Sequence, residues 1–379
     1  MAKQRWWRRL IDGREPVFPQ DEPAPATEHE PTLEAEIARD PDAIDPYLIY
    51  ADWLHDHGDP RGTLIALQAA CEERVDDTRW DSNVRTLDPW TVLAGKPAAA
   101  AQEQLARFPI RLGGDLEPGD HVEWHCGYWR RLHLEPAPVK TATFTLETRL
   151  ASALGHESAR FLRTLSIGAN YGLPVPERLP ELPVSLRTLH LGAGVRSRLA
   201  PLDPIDPLWP RARKLETIVL EGLRVKLARG FEAPALRSLE IVTEELDPQT
   251  LLSIAASELP VLETLIVWID APRRHITPGD VRVLTRATLP SLRDLGLVNC
   301  RFADEALEAV IDAPWFPQLR VLDLSRGRLT ERGIAILERV RDRLPELQYL
   351  DVSRNVLDDA ACARARALAP KVRTIKQLK

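Results

Sequence analysis

The chain has 379 residues, which is enough for two or more domains or for one long array of repeats. Its 44% hydrophobic and 28% charged residues are ordinary for a globular protein, and its net charge of −6 excludes a general attraction to nucleic acid or to anionic lipid. The four cysteines lie far apart without a CxxC pair, so we expect free thiols, a reducing compartment and a cytoplasmic location.

Residues 1–30 are predicted to form a flexible tail. A cluster of Arg5, Trp6, Trp7 and Arg8 is followed by a stretch rich in proline and acidic residues, which cannot build a core. No secretory signal is expected here, and no stretch of the chain has the run of about 18 apolar residues that spans a membrane. The tail is either a disordered lead-in or a docking peptide, because adjacent Trp and Arg residues are typical anchors on a membrane surface or in a partner's groove.

Residues 31–75 are predicted to form a small helical domain. Thr32 is the candidate cap of a first helix, and Pro46 suits the first turn of a second helix whose apolar residues recur on one face. The Gly- and Pro-containing stretch 58–62 predicts a turn. A third helix is predicted to begin at Thr63.

Five sequence blocks in this region resemble the bacterial repeat-companion domain, a small helical module that typically precedes leucine-rich or similar repeats. They are L-E-A-E-I at 33–37, D-P-D at 40–42, Y-A-D-W-L at 50–54, G-D-P-R-G at 58–62 and L-Q at 67–68. The family commonly has a Glu-rich segment after the Trp-Leu pair, whereas this chain has His55, Asp56 and His57. Neighbouring residues of a helix point in different directions, so this triplet is predicted to be a solvated helix end. The resemblance implies an architecture and no activity.

Residues 76–127 are predicted to form a connector. At its end, His121, His125, Cys126 and the nearby His133 form the most metal-like cluster of the chain. The surrounding turns do not match a closed zinc site. We therefore expect no cofactor and favour a packed connector over a metal site, with Cys126 as a buried apolar residue.

Residues 128–379 are predicted to form a repeat array. The stretch Leu292-Arg293-Asp294-Leu295-Gly296-Leu297-Val298-Asn299-Cys300-Arg301-Phe302 matches the signature L-x-x-L-x-L-x-x-N/C-x-L, and related stretches recur about every 26 residues. The frame predicts strands at 129–134, 162–167, 186–191, 215–220, 236–241, 262–267, 292–297, 319–324, 347–352 and 372–375. Helices are predicted at 247–257, 277–287, 304–311, 330–340 and 358–368, and the proline-rich segments 171–183 and 200–210 are predicted to be irregular.

The array resembles that of leucine-rich-repeat proteins. The resemblance implies an α/β fold, namely a leucine-rich-repeat solenoid that is ribonuclease-inhibitor-like in its C-terminal half and is preceded by the small helical domain. A doubly wound α/β fold is disfavoured by the fixed L-x-x-L-x-L frame and by the lack of a glycine-rich phosphate loop. In the solenoid, positions one, four and six of each repeat face the core, and positions three, five and seven face the concave side.

Partner-binding residues are predicted on the middle and the C-terminal part of the concave side. They are Val219, Glu221, Glu240, Val242, Ile266, Trp268, Asp270, Val298, Asp323 and Asp351. An exposed tryptophan within an apolar patch that has a charged rim is typical of interface hot spots. In the alternative interpretation, Trp268 folds against its neighbours or lies beneath the N-terminal segment.

The sequence favours a binding function over a catalytic one. No GxSxG, HExxH, Walker or GxGxxG motif is present, so no enzymatic activity is expected. The acidic concave side disfavours nucleic acid. We predict a non-enzymatic protein–protein interaction module or scaffold whose partner is another protein. In the alternative, the tail of Arg5, Trp6, Trp7 and Arg8 docks the protein to a membrane or a larger complex, and the array serves as a spacer.

Overall fold

The computed structural model describes residues 29–76, 84–114, 116–135, 146–168, 179–193, 201–202, 205–227, 229–269 and 276–378. The chain divides into two compact units. The first comprises Met1–Asp81, Leu87–Ser166 and Pro180–Arg187, and the second comprises Ser82–Thr86, Ile167–Leu179 and Thr188–Lys379. A short piece of the predicted connector therefore belongs to the second unit.

Three helices open the described part of the first unit. They are α1 (Pro31–Arg39), α2 (Ile44–Asp56) and α3 (Pro60–Ala69). The carboxylate of Glu30 accepts the N–H of Leu33 at 2.7 Å and caps α1, so the prediction that Thr32 is the cap is wrong. Asp59 caps α3 with a proline directly after it, and this arrangement starts the helix before the predicted Thr63.

The remaining elements of the first unit include two antiparallel strand pairs, of which the sequence analysis predicted one strand, at 129–134. The elements are β1 (Glu72–Val75), β2 (Thr91–Ala94), α4 (Lys96–Arg107), a π-helical turn (Pro109–Gly113), β3 (His121–His125), β4 (Tyr128–Leu134), α5 (Leu146–Gly155) and a 3-10 turn (Glu157–Ala159). Strand β1 pairs with β2, and β3 pairs with β4. The core of the helical domain joins Tyr47 and Tyr50 of α2 to Cys126, Tyr128 and Phe161. Strand β5 (Thr164–Gly168) crosses the boundary between the two units.

The second unit is built on a parallel ladder of strands. Its strands are β6 (Thr188–Ala193), β7 (Thr217–Gly222), β8 (Ser238–Thr243), β9 (Thr264–Trp268), β10 (Asp294–Val298), β11 (Val321–Asp323), β12 (Tyr349–Asp351) and β13 (Lys371–Arg373). Each strand pairs in parallel with the next one in the sequence. The residues at positions four and six of the repeats from β6 to β12 are buried, as Leu295 and Leu297 illustrate. The predicted leucine-rich-repeat solenoid is confirmed, although β6 to β12 begin two residues later than predicted and β13 begins one residue earlier.

Helices return the chain from one strand to the next in the C-terminal repeats. They are α6 (Pro248–Ala255), α7 (Pro278–Arg282), α8 (Ala303–Val310), α9 (Glu331–Arg339) and α10 (Asp359–Ala365). Short 3-10 turns accompany them at Val283–Arg286, Phe316–Gln318 and Arg341–Arg343, and a further 3-10 turn lies earlier in the chain at Asp206–Arg211. Thr330, the first residue of the helix predicted at 330–340, caps α9, because its side chain accepts the N–H of Arg332. In the N-terminal repeats, a 3-10 turn replaces the helix within the proline-rich stretch 200–210. Proline lacks the N–H that an inner helical turn requires.

The turn after three successive strands has a left-handed residue at position eight. The φ angles are 55° at Asn299, 63° at Arg326 and 57° at Arg354. Residues other than glycine adopt this conformation infrequently, because the Cβ atom approaches the following carbonyl oxygen. The turn is therefore a fixed feature of the C-terminal repeats.

Asn355 at position nine holds the turn of two neighbouring repeats. Its buried amide oxygen accepts the N–H groups of Gly327 at 3.2 Å and Leu329 at 2.9 Å. Its amide nitrogen donates to the carbonyl oxygens of Leu324 at 2.9 Å and Val352 at 3.0 Å. These four bonds hold the Asn355 side chain inside the array and fasten the turns of two neighbouring repeats to each other.

Candidate functional site

The concave side of the ladder is largely covered. Along strands β7 to β12, the side chains at positions five and seven are buried as fully as those of the core. Only position three is partly exposed, and its residues form an accessible strip of Thr188, Thr217, Ser238, Thr264, Asp294, Val321 and Tyr349. The sequence analysis expected positions five and seven to carry the free surface. In the structure, position three carries it.

The predicted partner-binding residues on this side are buried. This holds for Val219, Glu221, Glu240, Val242, Ile266, Trp268, Val298, Asp323 and Asp351. Trp268 is 5% exposed and lies beneath the guanidinium of Arg326, whose central carbon is 5.5 Å from the ring centroid. The expectation of an exposed tryptophan is therefore wrong, and its alternative, packing against neighbours, is observed. Asp270 lies outside the described residues. Whether this set binds a partner stays a prediction.

Residues 84–86, which we call the strap, lie on the concave side. One carboxylate oxygen of Glu240 accepts the N–H of Arg85 at 2.8 Å, the N–H of Thr86 at 3.0 Å and the Thr86 hydroxyl at 2.9 Å. The guanidinium of Arg85 forms an ion pair with Asp323 and donates to the Ser325 hydroxyl at 3.0 Å. A segment that precedes the array in sequence thus occupies the face where the partner was predicted.

Glu240, Asp323, Ser325 and Asp351 form what we call the acidic pocket. Glu240, Asp323 and Asp351 stand at position five of β8, β11 and β12. Between β8 and β11, the same row is filled by Ile266 and Gly296, and glycine adds no side chain there. A Cβ atom at Gly296 would lie 3.0 Å from the Ile266 side chain, so Ile266 fills the space between Glu240 and Asp323.

The electrostatics of the acidic pocket are governed by burial. Burial raises the pKa of Glu240 to about 7, although the hydrogen bonds from Arg85 and Thr86 act in the opposite direction. Burial also lowers the pKa of Arg85, and the negative charges of Asp351 and Glu240 oppose this change. A buried carboxylate that lacks a cation is costly, so Arg85 stabilises the pocket by neutralising it.

A second polar contact lies further along the same face. Nε2 of His190 on β6 is 3.4 Å from a carboxylate oxygen of Glu221 on β7, and both side chains are buried. On the same two strands, Gly192 has a φ of 87°, and a Cβ atom there would meet the carbonyl oxygen of Glu221. Glycine is therefore required where these strands approach each other.

The G-D-P-R-G block has a structural role within the first unit. Arg61 is 1% exposed and donates to the carbonyl oxygens of Gly127 at 2.6 Å and Arg111 at 3.1 Å, and to the Ser158 hydroxyl at 2.9 Å. A Cβ atom on Gly62 would lie 2.7 Å from the carbonyl oxygen of Ala51, so glycine allows α2 and α3 to approach. The block joins the helices to the turn between β3 and β4.

The predicted metal-like cluster is divided by the β3–β4 hairpin. The rings of His121 and His133 stack at 6.0 Å, whereas His125 lies at the other end of β3 with its ring edge-on to Tyr47. Four residues along a strand span about 13 Å, so the two histidines of β3 lie too far apart to bind one metal ion. Cys126 lies in the turn, and burial raises the pKa of its thiol to about 12. Among the described residues, no group of three or more His, Cys, Asp or Glu is placed to hold a metal ion.

Two further predicted features have simple outcomes. His57 ends α2 with its ring stacked on Trp53 at 4.0 Å, and the side chains of the His55–His57 triplet are exposed, as expected for a solvated helix end. The tail residues Arg5, Trp6, Trp7 and Arg8 lie outside the described residues. No helix in the described part of the chain is long and apolar enough to cross a membrane.

Sequence reasoning missed the residues that define this site. Arg85 and Thr86 lie in the least patterned part of the chain, 155 and 154 residues before Glu240. The available signal was the row of acids at position five, which requires a cation when it is buried. That signal predicts the need for a basic residue but does not say which one supplies it.

No protein-family model and no curated protein matches the chain. A solved structure of a Bacteroides fragilis protein is 17% identical over 77% of this chain and 88% of its own, with a TM-score of 0.55. Human 5T4 (Wnt-activated inhibitory factor 1, trophoblast glycoprotein) is 21% identical over 65% of this chain and 75% of its own, with a TM-score of 0.33. An internalin from Listeria monocytogenes is 14% identical over 58% and 63%, with a TM-score of 0.27. The Bacteroides similarity shows the fold alone, and the other two are too distant to carry an argument.

Proposed function

We propose that this chain is a non-enzymatic protein–protein interaction module that binds a segment of another protein on the concave side of its repeat array. One observation supports this most directly. The acidic pocket already holds a polypeptide segment, the strap, through two backbone N–H groups and an arginine side chain. Repeat arrays act through complementary surfaces of this kind.

The accessible strip is the part of the concave side that a partner meets first. Its central members Thr264 and Asp294 lie on adjacent strands, and the Thr264 hydroxyl donates to the Asp294 carboxylate at 3.3 Å. Burial raises the pKa of Asp294, and the hydrogen bond from Thr264 acts in the opposite direction. Hydroxyl and carboxylate side chains suit hydrogen bonding to the backbone and basic side chains of a partner.

The test compares substitutions on the strip with one on the opposite side. Trp268→Ala or Val242→Arg would disturb packing as well as binding, because both residues are buried. Thr264→Arg and Tyr349→Arg change the partly exposed strip and leave the core intact. Leu252→Arg on α6 is the matched control, since Leu252 is 43% exposed.

The partner is first identified by crosslinking and affinity purification from the native host, and is then purified for isothermal titration. We expect each strip substitution to weaken binding by about tenfold or more, which is about 1.4 kcal/mol, while Leu252→Arg binds as the wild type does. Equal affinity of all the variants would refute binding on the concave side.

A second candidate function uses the tail. Arg5, Trp6, Trp7 and Arg8 combine the residue types that anchor peptides in grooves and on membrane surfaces. In this function the array is a spacer. Deletion of residues 1–30 separates the two candidates: loss of localisation with retained partner binding favours the tail, and unchanged localisation speaks against it.

We further propose that residues 31–75 are a repeat-companion domain and that the protein acts in the bacterial cytoplasm. The structural role of Arg61 and Gly62 supports the first part, because their block is among those that carry the resemblance. The four free cysteines support a reducing compartment. Maleimide labelling of the protein in native cells should modify every thiol after denaturation, and disulfide-linked species would contradict the location.

A further inference from the structure

The acidic pocket recognises a backbone and one side chain. Glu240 accepts the N–H groups of two successive residues, and every residue except proline offers such a group. Specificity therefore comes from the guanidinium that contacts Asp323 and Ser325, and from the hydroxyl of Thr86. A segment with an arginine followed by a threonine or serine matches all of these contacts.

The pocket fits arginine better than lysine. Asp323 and Asp351 are register partners on β11 and β12, and the hydroxyl of Ser325 lies at 3.0 Å from a guanidinium nitrogen of Arg85. A guanidinium donates through a planar fork in several directions at once, whereas an ammonium is a compact point charge that is strongly hydrated. Because several acceptors lie in one buried site, the guanidinium of an arginine is favoured over the ammonium of a lysine.

The pocket is stable only when a cation fills it. Asp323 is 4% exposed and pairs with Arg85, whereas Asp351 lies 3.8 Å from the guanidinium of Arg373. Asp323 is therefore the buried carboxylate that loses its cation when the strap leaves, which is strongly unfavourable. The strap can leave at low free-energy cost only if another cation enters. Replacement of the strap by another cationic segment is therefore more favourable than release of the strap into solvent. Any segment that replaces the strap must carry a positive charge.

We propose that the acidic pocket binds an arginine-bearing segment of the partner protein, and that the strap is the internal ligand which this segment displaces. The inference rests on the proposed function and names the partner's chemistry at the same face. An external segment must compete with the strap, which is tethered to the same chain and therefore acts at an effective concentration on the order of millimolar. Removing Arg85 therefore strengthens binding of an external segment.

The experiment uses a fluorescein-labelled peptide with the sequence of residues 80–90, W-D-S-N-V-R-T-L-D-P-W, and the full chain. Fluorescence polarisation compares the wild type with Arg85→Ala. We expect Arg85→Ala to bind the peptide about tenfold or more tightly than the wild type, because its own strap no longer fills the pocket. A peptide with alanine in place of arginine should lose this binding, and a lysine peptide should bind more weakly than the arginine peptide.

Two controls keep the result interpretable. Arg332→Ala removes an exposed arginine of α9, whose guanidinium contacts Glu305 at 2.9 Å and Glu308 at 2.7 Å. This variant should bind the peptide as weakly as the wild type does. If Arg85→Ala fails to fold by far-UV circular dichroism, hydrogen exchange of the wild type decides: peptide at about 1 mM should remove the protection of the amides of Arg85 and Thr86.

The outcomes separate this inference from the proposed function. Folded Arg85→Ala that binds the peptide no better than the wild type overturns the inference, as do amides that stay protected in excess peptide. Peptide binding together with a natural partner that ignores Thr264→Arg and Tyr349→Arg supports the displaceable strap and refutes the accessible strip as the partner's binding surface. A partner that requires Thr264 and binds the wild type and Arg85→Ala equally supports the function and overturns the displaceable strap.

Discussion

Replacing Arg61 with methionine tests the role of the G-D-P-R-G block. Methionine keeps much of the apolar volume of the side chain and removes the guanidinium. The carbonyl oxygens of Gly127 and Arg111 then lose their donor, whereas the Ser158 hydroxyl keeps its bond to the Leu112 carbonyl oxygen at 2.6 Å. The change therefore leaves one buried acceptor, at Gly127, and one partly buried acceptor, at Arg111, without this partner.

The magnitude follows from those two acceptors. Each buried polar group that loses its partner costs about 1–3 kcal/mol, and relief from the desolvation of a buried guanidinium offsets part of the sum. We expect Arg61→Met to lower the free energy of unfolding by about 3 kcal/mol. Arg61→Lys should lie between this variant and the wild type, because one ammonium cannot reach all three acceptors.

Urea unfolding followed by circular dichroism measures this loss, and hydrogen exchange shows whether α2 and α3 open first. Arg74→Met is the matched control, because Arg74 is 65% exposed in its pair with Glu72. An exposed pair contributes at most about 1 kcal/mol, so the control should unfold close to the wild type. If Arg61→Met unfolds with the same midpoint as Arg74→Met, the reasoning on the block is refuted.

Three further predictions concern single side chains. Gly62→Ala should lose about 1–3 kcal/mol in urea unfolding, since its Cβ atom would lie 2.7 Å from the carbonyl oxygen of Ala51, whereas Gly155→Ala has open space and should not. Asn355→Ala should lower the free energy of unfolding by about 3 kcal/mol, because several buried backbone groups lose their partner. Glu240→Gln should flatten the pH dependence of the thermal midpoint. When the pH is lowered from about 7.5 to about 5.5, the midpoint of the wild type should rise more than that of the variant.

The sign of the pH prediction follows from the direction of the pKa change. Burial raises the pKa of Glu240 to about 7 from 4.5, so the folded protein holds a proton that the unfolded chain has released between these values. The stability from this group is fully present below about pH 4.5 and is lost as the pH rises through about 7. Parallel midpoint curves for the wild type and Glu240→Gln would contradict the raised pKa. Equal losses in the two glycine variants, or an unchanged midpoint for Asn355→Ala, would contradict the corresponding packing arguments.

The array was predictable because its signal repeats. Leu295 and Leu297 mark the two core positions of a strand, and the same pair of positions recurs through the ladder. The predicted strand at 292–297 begins early because Leu292 is buried ahead of the first paired residue, Asp294. Periodicity reports burial, and burial starts before the hydrogen-bonded ladder does.

The antiparallel hairpins and the cover of the concave side were not predictable in the same way. In β3, Val122 and Trp124 alternate with polar residues, but adjacent turns and histidines obscure the short pattern. The strap contacts Glu240 across 155 residues of sequence, and its irregular backbone has no periodicity. Positions five and seven read as a free surface because periodicity cannot reveal which remote segment covers a face.

The left-handed residue that follows β10, β11 and β12 affects how this face can change. Asn299, Arg326 and Arg354 occupy a conformation that disfavours β-branched side chains, so a diversified library should leave these positions fixed or offer only glycine and asparagine. Position three carries no such restriction and is partly exposed on each strand. The array can therefore acquire a new specificity one strand at a time, with the turns held constant as a frame.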